Sequence, residues 1–155
     1  MTDHLSQFLQ AALEPLPDAT GGVAIVLATS ADPPALAVLS TGDVLIQDDV
    51  VRVGVHASSS TVRHLGGSFT LLVPLGEMAV RVEAVVVRSQ VQGDLALIEG
   101  RLSALRPTAE PPWLLEMTFR PAIPDLPQTS AHVAYWQSVR LWLAGELPTP
   151  PSLPG

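Results

Sequence analysis

The segment "VVRVGVHASSSTVRHLGGSFTLLVP", residues 50–74, decides how this chain folds. Its first seven residues alternate well enough to make a half-buried strand, and its last seven, Ser68–Pro74, read as a buried one. Between them stand three serines and a threonine, Ser58–Thr61, followed by Val62, Arg63, His64, Leu65 and two glycines. Four consecutive hydroxyls ahead of "VRHL" mark the start of a short helix, and Gly66–Gly67 can end it as a left-handed cap.

Strand patterns continue on both sides. Upstream, "GGVAIVLATS" (21–30) reads as a strand, "ADPP" as a turn, "ALAVLS" (35–40) as a second strand, and "TGD" as a tight turn before "VLIQ" (44–47). Downstream, "LGE" turns the chain into "MAVRVEAVVVRS" (78–89), and "QVQGD" turns it again into "LALIEGRLSAL" (95–105). Gly54 and Gly100 interrupt strand patterns and suit bulge or corner positions of a closed sheet. Six or seven strands joined by short turns, with few helices between them, point to an antiparallel barrel rather than a doubly wound sheet.

Helical patterns flank the barrel. Thr2 can cap a first helix over about 3–14, with Leu5, Phe8, Leu9, Ala12 and Leu13 at helical spacing, and Pro15 and Pro17 end it. A second helix over about 130–144 takes Thr129 or Ser130 as cap, Gly145 as stop, and Val133, Trp136, Val139 and Leu143 on its apolar face. Residues 111–120 ("PPWLLEMTFR") fit a short helix or an edge strand equally. No internal repeat or second domain is visible, so residues 1–147 read as one domain and 148–155 as a proline-rich tail.

Composition narrows the function. At 155 residues the chain is the size of one domain, able to bury roughly 70% of its unfolded surface. Apolar residues make up 47% and charged residues only 15%, which leads us to expect a subunit interface. The net charge is −7, the pI near 4.8, and all 8 basic residues are arginine. No basic face is on offer for nucleic acid or an anionic membrane. With 0 cysteines there is no disulfide, thiolate metal site or cysteine nucleophile. The N-terminal stretch lacks the basic and apolar regions of a signal peptide, and the longest apolar runs cannot span a bilayer, so a soluble, cytoplasmic protein is expected.

Two readings of the serine stretch stay open on local chemistry. A helix start presents unpaired N–H groups and the positive end of the dipole, so hydroxyls at Ser58, Ser59, Ser60 and Thr61 could complete an anion cradle, with Arg63 one turn in and Arg81 on a nearby strand. Alternatively, one serine caps the helix and the others are solvated.

The order of strand, serine-rich turn, "TVRHL", "SFTLLVP", turn and "MAVRVEAVVV" resembles the pyridoxamine 5′-phosphate oxidase-like, FMN-binding split-barrel superfamily over roughly residues 20–106. The resemblance implies a mainly β fold: a six-stranded antiparallel split β-barrel with a few flanking helices. It also implies a homodimer and FMN in grooves at the dimer interface, so that a flavin-dependent oxidoreductase acting on a small molecule is expected. Ser59, Ser60 and Thr61 match the family's phosphate-binding turn; Arg63 and Arg81 are the further candidates. Ser60 and Thr61 stand where many members carry arginine and lysine, and "ALAVLS" lacks the basic residues that reach the phosphate in the oxidases proper. That departure argues against oxidation of vitamin B6 and keeps a second reading: a non-enzymatic dimer that has lost flavin and binds another small ligand or a protein partner.

Other chemistries find no support. His4, His56, His64 and His132 show no metal-ligand spacing, although His56 and His64 could line a ligand groove beside the serines. "LGGSFT" is not a nucleophile elbow, and neither a P-loop nor G-x-G-x-x-G occurs. Trp136 and Trp142 cannot share one helix face, so dimer contact and packing on the barrel are both open for them, and Trp113 falls in the ambiguous stretch.

Overall fold

A computed structural model describes residues 2–16, 22–75, 78–109, 118–119 and 127–152. Helix α1 (Thr2–Leu13) leads into β1 (Gly22–Thr29) and β2 (Leu36–Ser40). A 3₁₀ turn (Thr41–Asp43) passes to β3 (Val44–Gln47) and β4 (Val50–His56). The one-turn helix α2 (Ser60–Arg63) precedes β5 (Ser68–Leu75), β6 (Met78–Gln92) and β7 (Leu95–Ala109). Strand β8 (Thr118–Phe119) and helix α3 (Pro127–Leu143) complete the order.

The strands pair antiparallel along the path β2-β1-β5-β6-β7-β4-β3, with β8 joined to β1. Alternation fixes which face is buried. Ile25 and Leu27, Leu39, Val44 and Ile46, Val51 and Val53, Phe69 and Leu71, Val80 and Val82, and Ile98 all enter one cluster. A single sheet whose seven strands share one core must curl upon itself, and β2 and β3, its two edges, leave the seam. The sheet is therefore barrel-like, with seven strands on the main path rather than six. From α1, Leu9 and Leu13 join that core, whereas Phe8 is exposed.

The two strand glycines have different physical reasons. The ladder runs unbroken through Gly54, opposite Leu97, so this is no bulge. A Cβ there would lie 3.3 Å from Val139 Cγ1, which identifies Gly54 as a seat for α3. Gly100 does face an irregularity, but on the partner strand: the β6 register shifts between Val86 and Arg88. A Cβ at Gly100 would also strike the Phe69 ring at 2.8 Å.

Helix α3 covers the outer face of β7, where Val139, Trp142 and Leu143 pack on Leu95 and Leu97. Trp142 is buried and its indole N–H donates to Gln92 Oε1 at 3.2 Å. The helix begins two residues before Thr129 and three before Ser130, the two expected caps, with Pro127 in its first turn, where a missing N–H costs nothing. It ends at Gly145 (φ 80°) in a Schellman motif, Glu146 N–H to Leu141 O and Gly145 N–H to Trp142 O. Within 111–120, Thr118–Phe119 forms the β8 strand against Gly22–Val23; Trp113 lies outside the described residues. No helix among the described residues is long and apolar enough to cross a membrane, which says nothing of a β-barrel.

Candidate functional site

After β4 the chain turns sharply: Ala57 N–H donates to Asp94 O at 2.9 Å and Ser59 N–H to His56 O at 3.0 Å. Helix α2 follows, closed by His64 N–H to Ser60 O at 2.9 Å, and Gly66 leaves it at φ 72°. Ser59 occupies the N-cap with suitable backbone angles (φ −69°, ψ 154°), yet its side chain makes no capping bond. Its Oγ is buried without a partner. Thr61 is 1% exposed, and its Oγ1 is buried and unpartnered as well. Leaving a buried hydroxyl unsatisfied costs about 1–3 kcal/mol. The amides of Ser60, Thr61 and Val62, first in their helix, have no carbonyl four residues back within it.

Both hydroxyl-bearing residues line a cavity of about 420 Å³ between the barrel and α3. Its apolar wall comes from Leu39, Val55 and Leu95; Asp43, His56, His132, Tyr135 and Trp136 supply the remaining polar and aromatic groups. No arginine is among its described lining residues, and lysine is absent from the chain.

Asp43 is placed by a capping box: Oδ2 accepts from Ser40 N–H at 2.9 Å and Ser40 Oγ–H at 3.0 Å, while Gly42 N–H donates to Ser40 Oγ at 3.1 Å. Burial pushes the Asp43 carboxyl above its ordinary pKa, against the opposing pull of the Ser40 bonds and the His56 charge. Tyr135 is pushed up to about 12, first by burial and then by the negative charges of Asp43 and Asp94. Gly42 allows α3 to sit this close, since a Cβ there would lie 2.6 Å from Trp136 Cβ. The rings of His132 and Trp136 meet edge to face, centroids 6.1 Å apart.

The sequence candidates separate. Ser59 and Thr61 face the cavity; Ser60 and Arg63 are exposed and do not line it, and His56 lines it while His64 does not. Arg81 is bonded to Glu83 Oε1 at 2.8 Å. It pairs in register with Leu72, four residues along β5 from Ser68, roughly 13 Å from where α2 hands over to that strand. Asp43, Tyr135 and Trp136 were not singled out for this cavity by the sequence. The one readable signal was Ser40-x-x-Asp43, a capping-box spacing.

A second, larger cleft of about 520 Å³ runs between α1 and β3, beside Arg140. That guanidinium donates to the carbonyls of Leu13 and Glu14, both at 2.6 Å, and to Thr41 O. Its two terminal nitrogens thus cap α1 and tie α1, α3 and the 3₁₀ turn together, while Nε is buried without a partner. No group of three His, Cys, Asp or Glu residues among the described ones could hold a metal ion. The hydroxyls and free amides of the α2 turn fit a phosphate-bearing group by hydrogen bonding, not by charge.

No family model and no curated protein sequence matches the chain. Among solved structures it is similar to BorF, the flavin reductase component of a bacterial two-component tryptophan halogenase (12% identity, TM-score 0.49, covering 71% of this chain and 89% of that one). The styrene monooxygenase flavin reductase from Pseudomonas putida S12 gives 16% identity and TM-score 0.48, covering 68% and 88%. A pyridoxamine 5′-phosphate oxidase-like protein from Listeria innocua gives 11% and 0.49, covering 68% and 99%.

Proposed function

We propose that this chain is a cytoplasmic, homodimeric, FMN-binding split-barrel protein that acts as a flavin-dependent oxidoreductase on a small molecule. The observation that carries the reading is the pair of buried, unpartnered hydroxyls, Ser59 Oγ and Thr61 Oγ1, in two residues that line one cavity. They stand in the turn whose order of residues resembles a flavin-phosphate turn. A ligand oxygen accepting from them would supply the bonds the protein leaves unmade. When bound, a flavin supplies the redox chemistry through its ring system; the chain's own groups bind, orient and exclude water. Ser59, Thr61 and the first amides of α2 would take the phosphate end, Trp136 and Tyr135 offer aromatic surface, and Leu39, Val55 and Leu95 keep the pocket dry. The exposed Leu36 and Val38 on β2 and Val85, Val87 and Val91 on β6 support burial against a second copy.

The visible absorption spectrum of the freshly purified protein, followed by FMN titration read through flavin fluorescence, tests this. Flavin bands or saturable quenching are expected, with affinity falling about tenfold in Thr61→Val, the loss of roughly one hydrogen bond. A colourless protein that leaves FMN fluorescence unchanged even in excess would overturn it.

A specific observation favours a second reading, a non-enzymatic dimer holding another small ligand: among the described residues the cavity is lined by a carboxylate and by no arginine. Flavin binding without flavin-dependent consumption of a nicotinamide reductant would favour that reading over the first.

A further inference from the structure

We infer that Asp43 acts as a charge filter for the ligand cavity, admitting uncharged or cationic groups and disfavouring polyanions. The inference rests on the flavin reading's cavity being the ligand site and qualifies that reading: the hydroxyls bond a phosphate, and Asp43 limits what that bonding gains.

Three observations carry it. First, the carboxylate is held on the cavity wall by its backbone: both Ser40 donors converge on Oδ2, which fixes the plane of the group and leaves Oδ1 uncommitted to the cap. Second, Asp43 is in none of the ion pairs of the described residues. Arg140 of α3, whose guanidinium reaches the same 3₁₀ turn, donates to the carbonyls of Leu13, Glu14 and Thr41 and lines the other cleft. Third, the basic side chains that share the wall are His56 from β4 and His132 from α3, while Ser59, Thr61 and Tyr135 bring neutral hydroxyls. A dianionic phosphate entering this cavity would meet hydroxyls that can bond it and a carboxylate that, when ionised, repels it. In a partly dry pocket that repulsion is far less screened than in water. No guanidinium among the described lining residues supplies a counter-charge to offset it.

The consequence is a specific order of ligands. Riboflavin, which lacks the phosphate, is expected to bind the wild-type protein at least as tightly as FMN. Asp43→Asn keeps an oxygen acceptor for the Ser40 N–H and removes only the charge. It is expected to tighten FMN about fivefold while riboflavin changes less than about twofold. A second pair of probes, tryptamine and indole-3-propionate, carries a cationic or an anionic arm on one aromatic body. The wild type should prefer the amine, and Asp43→Asn should narrow that preference about fivefold.

Titration calorimetry of all four probes with both proteins separates the outcomes. FMN binding the wild type tenfold or more tightly than riboflavin would overturn the filter and leave the flavin reading standing, and that measurement does not depend on the variant folding. Ratios unchanged by Asp43→Asn in a variant with native circular dichroism would overturn it too. Neither flavin binding, but an indole preference that responds to Asp43→Asn, would sink the flavin reading and support the filter. Binding of none of the four would overturn both.

Discussion

Two clefts beside the helices, of about 520 and 420 Å³, differ in their hydrogen-bond accounts. Between α1 and β3, Arg140 brings the strongest donor of the region, and its bonds go to the backbone carbonyls of Leu13, Glu14 and Thr41. Between the barrel and α3, Ser59 Oγ and Thr61 Oγ1 are shut off from solvent with nothing to bond. A folded chain tolerates buried unpaired groups only where something offsets their cost, and ligand binding is one such use. The larger cleft has one such atom as well, Arg140 Nε, but the rest of that guanidinium fastens helices, and the smaller cleft, with two, is the site we propose. Volume alone would have ranked them the other way.

The sharpest way to break this comparison is Gly42→Ala. The new methyl would lie 2.6 Å from Trp136 Cβ and 2.8 Å from its Cγ, so α3 itself must shift. A loss of about 3 kcal/mol is expected, read as a lower midpoint in urea with an unchanged slope. A midpoint within error of wild type would mean that α3 sits more loosely on the 3₁₀ turn than the structure has it.

Next in size, Arg140→Met keeps the aliphatic stem and removes the three carbonyl bonds. About 2 kcal/mol of destabilisation is expected after allowing for partial exposure of the group. Thermal unfolding of the variant checks it. A cost near zero would return the larger cleft, with a dispensable arginine, to the list of ligand sites.

A smaller effect comes from Tyr135, shared by the cavity wall and the outer cluster. Its folded-state pKa of about 12 lies above the ordinary value of 10.0, through burial first and then the charges of Asp43 and Asp94. A raised tyrosine pKa contributes stability that is fully present below the unfolded value and lost as pH rises through the folded one. Denaturation measured from pH 9 upward should therefore show a loss of stability between about 10 and 12. That limb should be shallower in Tyr135→Phe; an identical limb would place the ring in water rather than in the wall.

The fold was legible because strand patterning survives locally. "VVRVGVH" and "SFTLLVP" place Val51, Val53, Phe69 and Leu71 on one face whatever lies around them. The same alternation would have placed Arg81 outside, since it stands between the inward Val80 and Val82. The serine turn was legible as a location, but not its inner division. Which hydroxyl of Ser59, Ser60 and Thr61 is buried depends on how α2 lies against β2 and β4. Asp43 was not legible as a cavity residue, because an acid in "TGD" looks solvated until α3, ninety residues on, closes over it. Gly54 misled for the same reason: it yields to a helix rather than to its strand.

The finest test of the two accounts asks for almost no change. Thr61→Val replaces the unpartnered hydroxyl with a methyl of similar volume. Because the ligand-free fold gains nothing from that oxygen, the variant should be as stable as wild type or more stable by about 1 kcal/mol, while losing affinity for its ligand. A residue that costs the fold and serves the ligand shows itself by those two opposite signs. If Thr61→Val instead destabilises the ligand-free protein by more than about 1 kcal/mol, the hydroxyl has a partner inside the fold, in solution. The cavity would then resemble the α1–β3 cleft, where backbone carbonyls meet the terminal nitrogens of Arg140, and the contrast between the two would be lost.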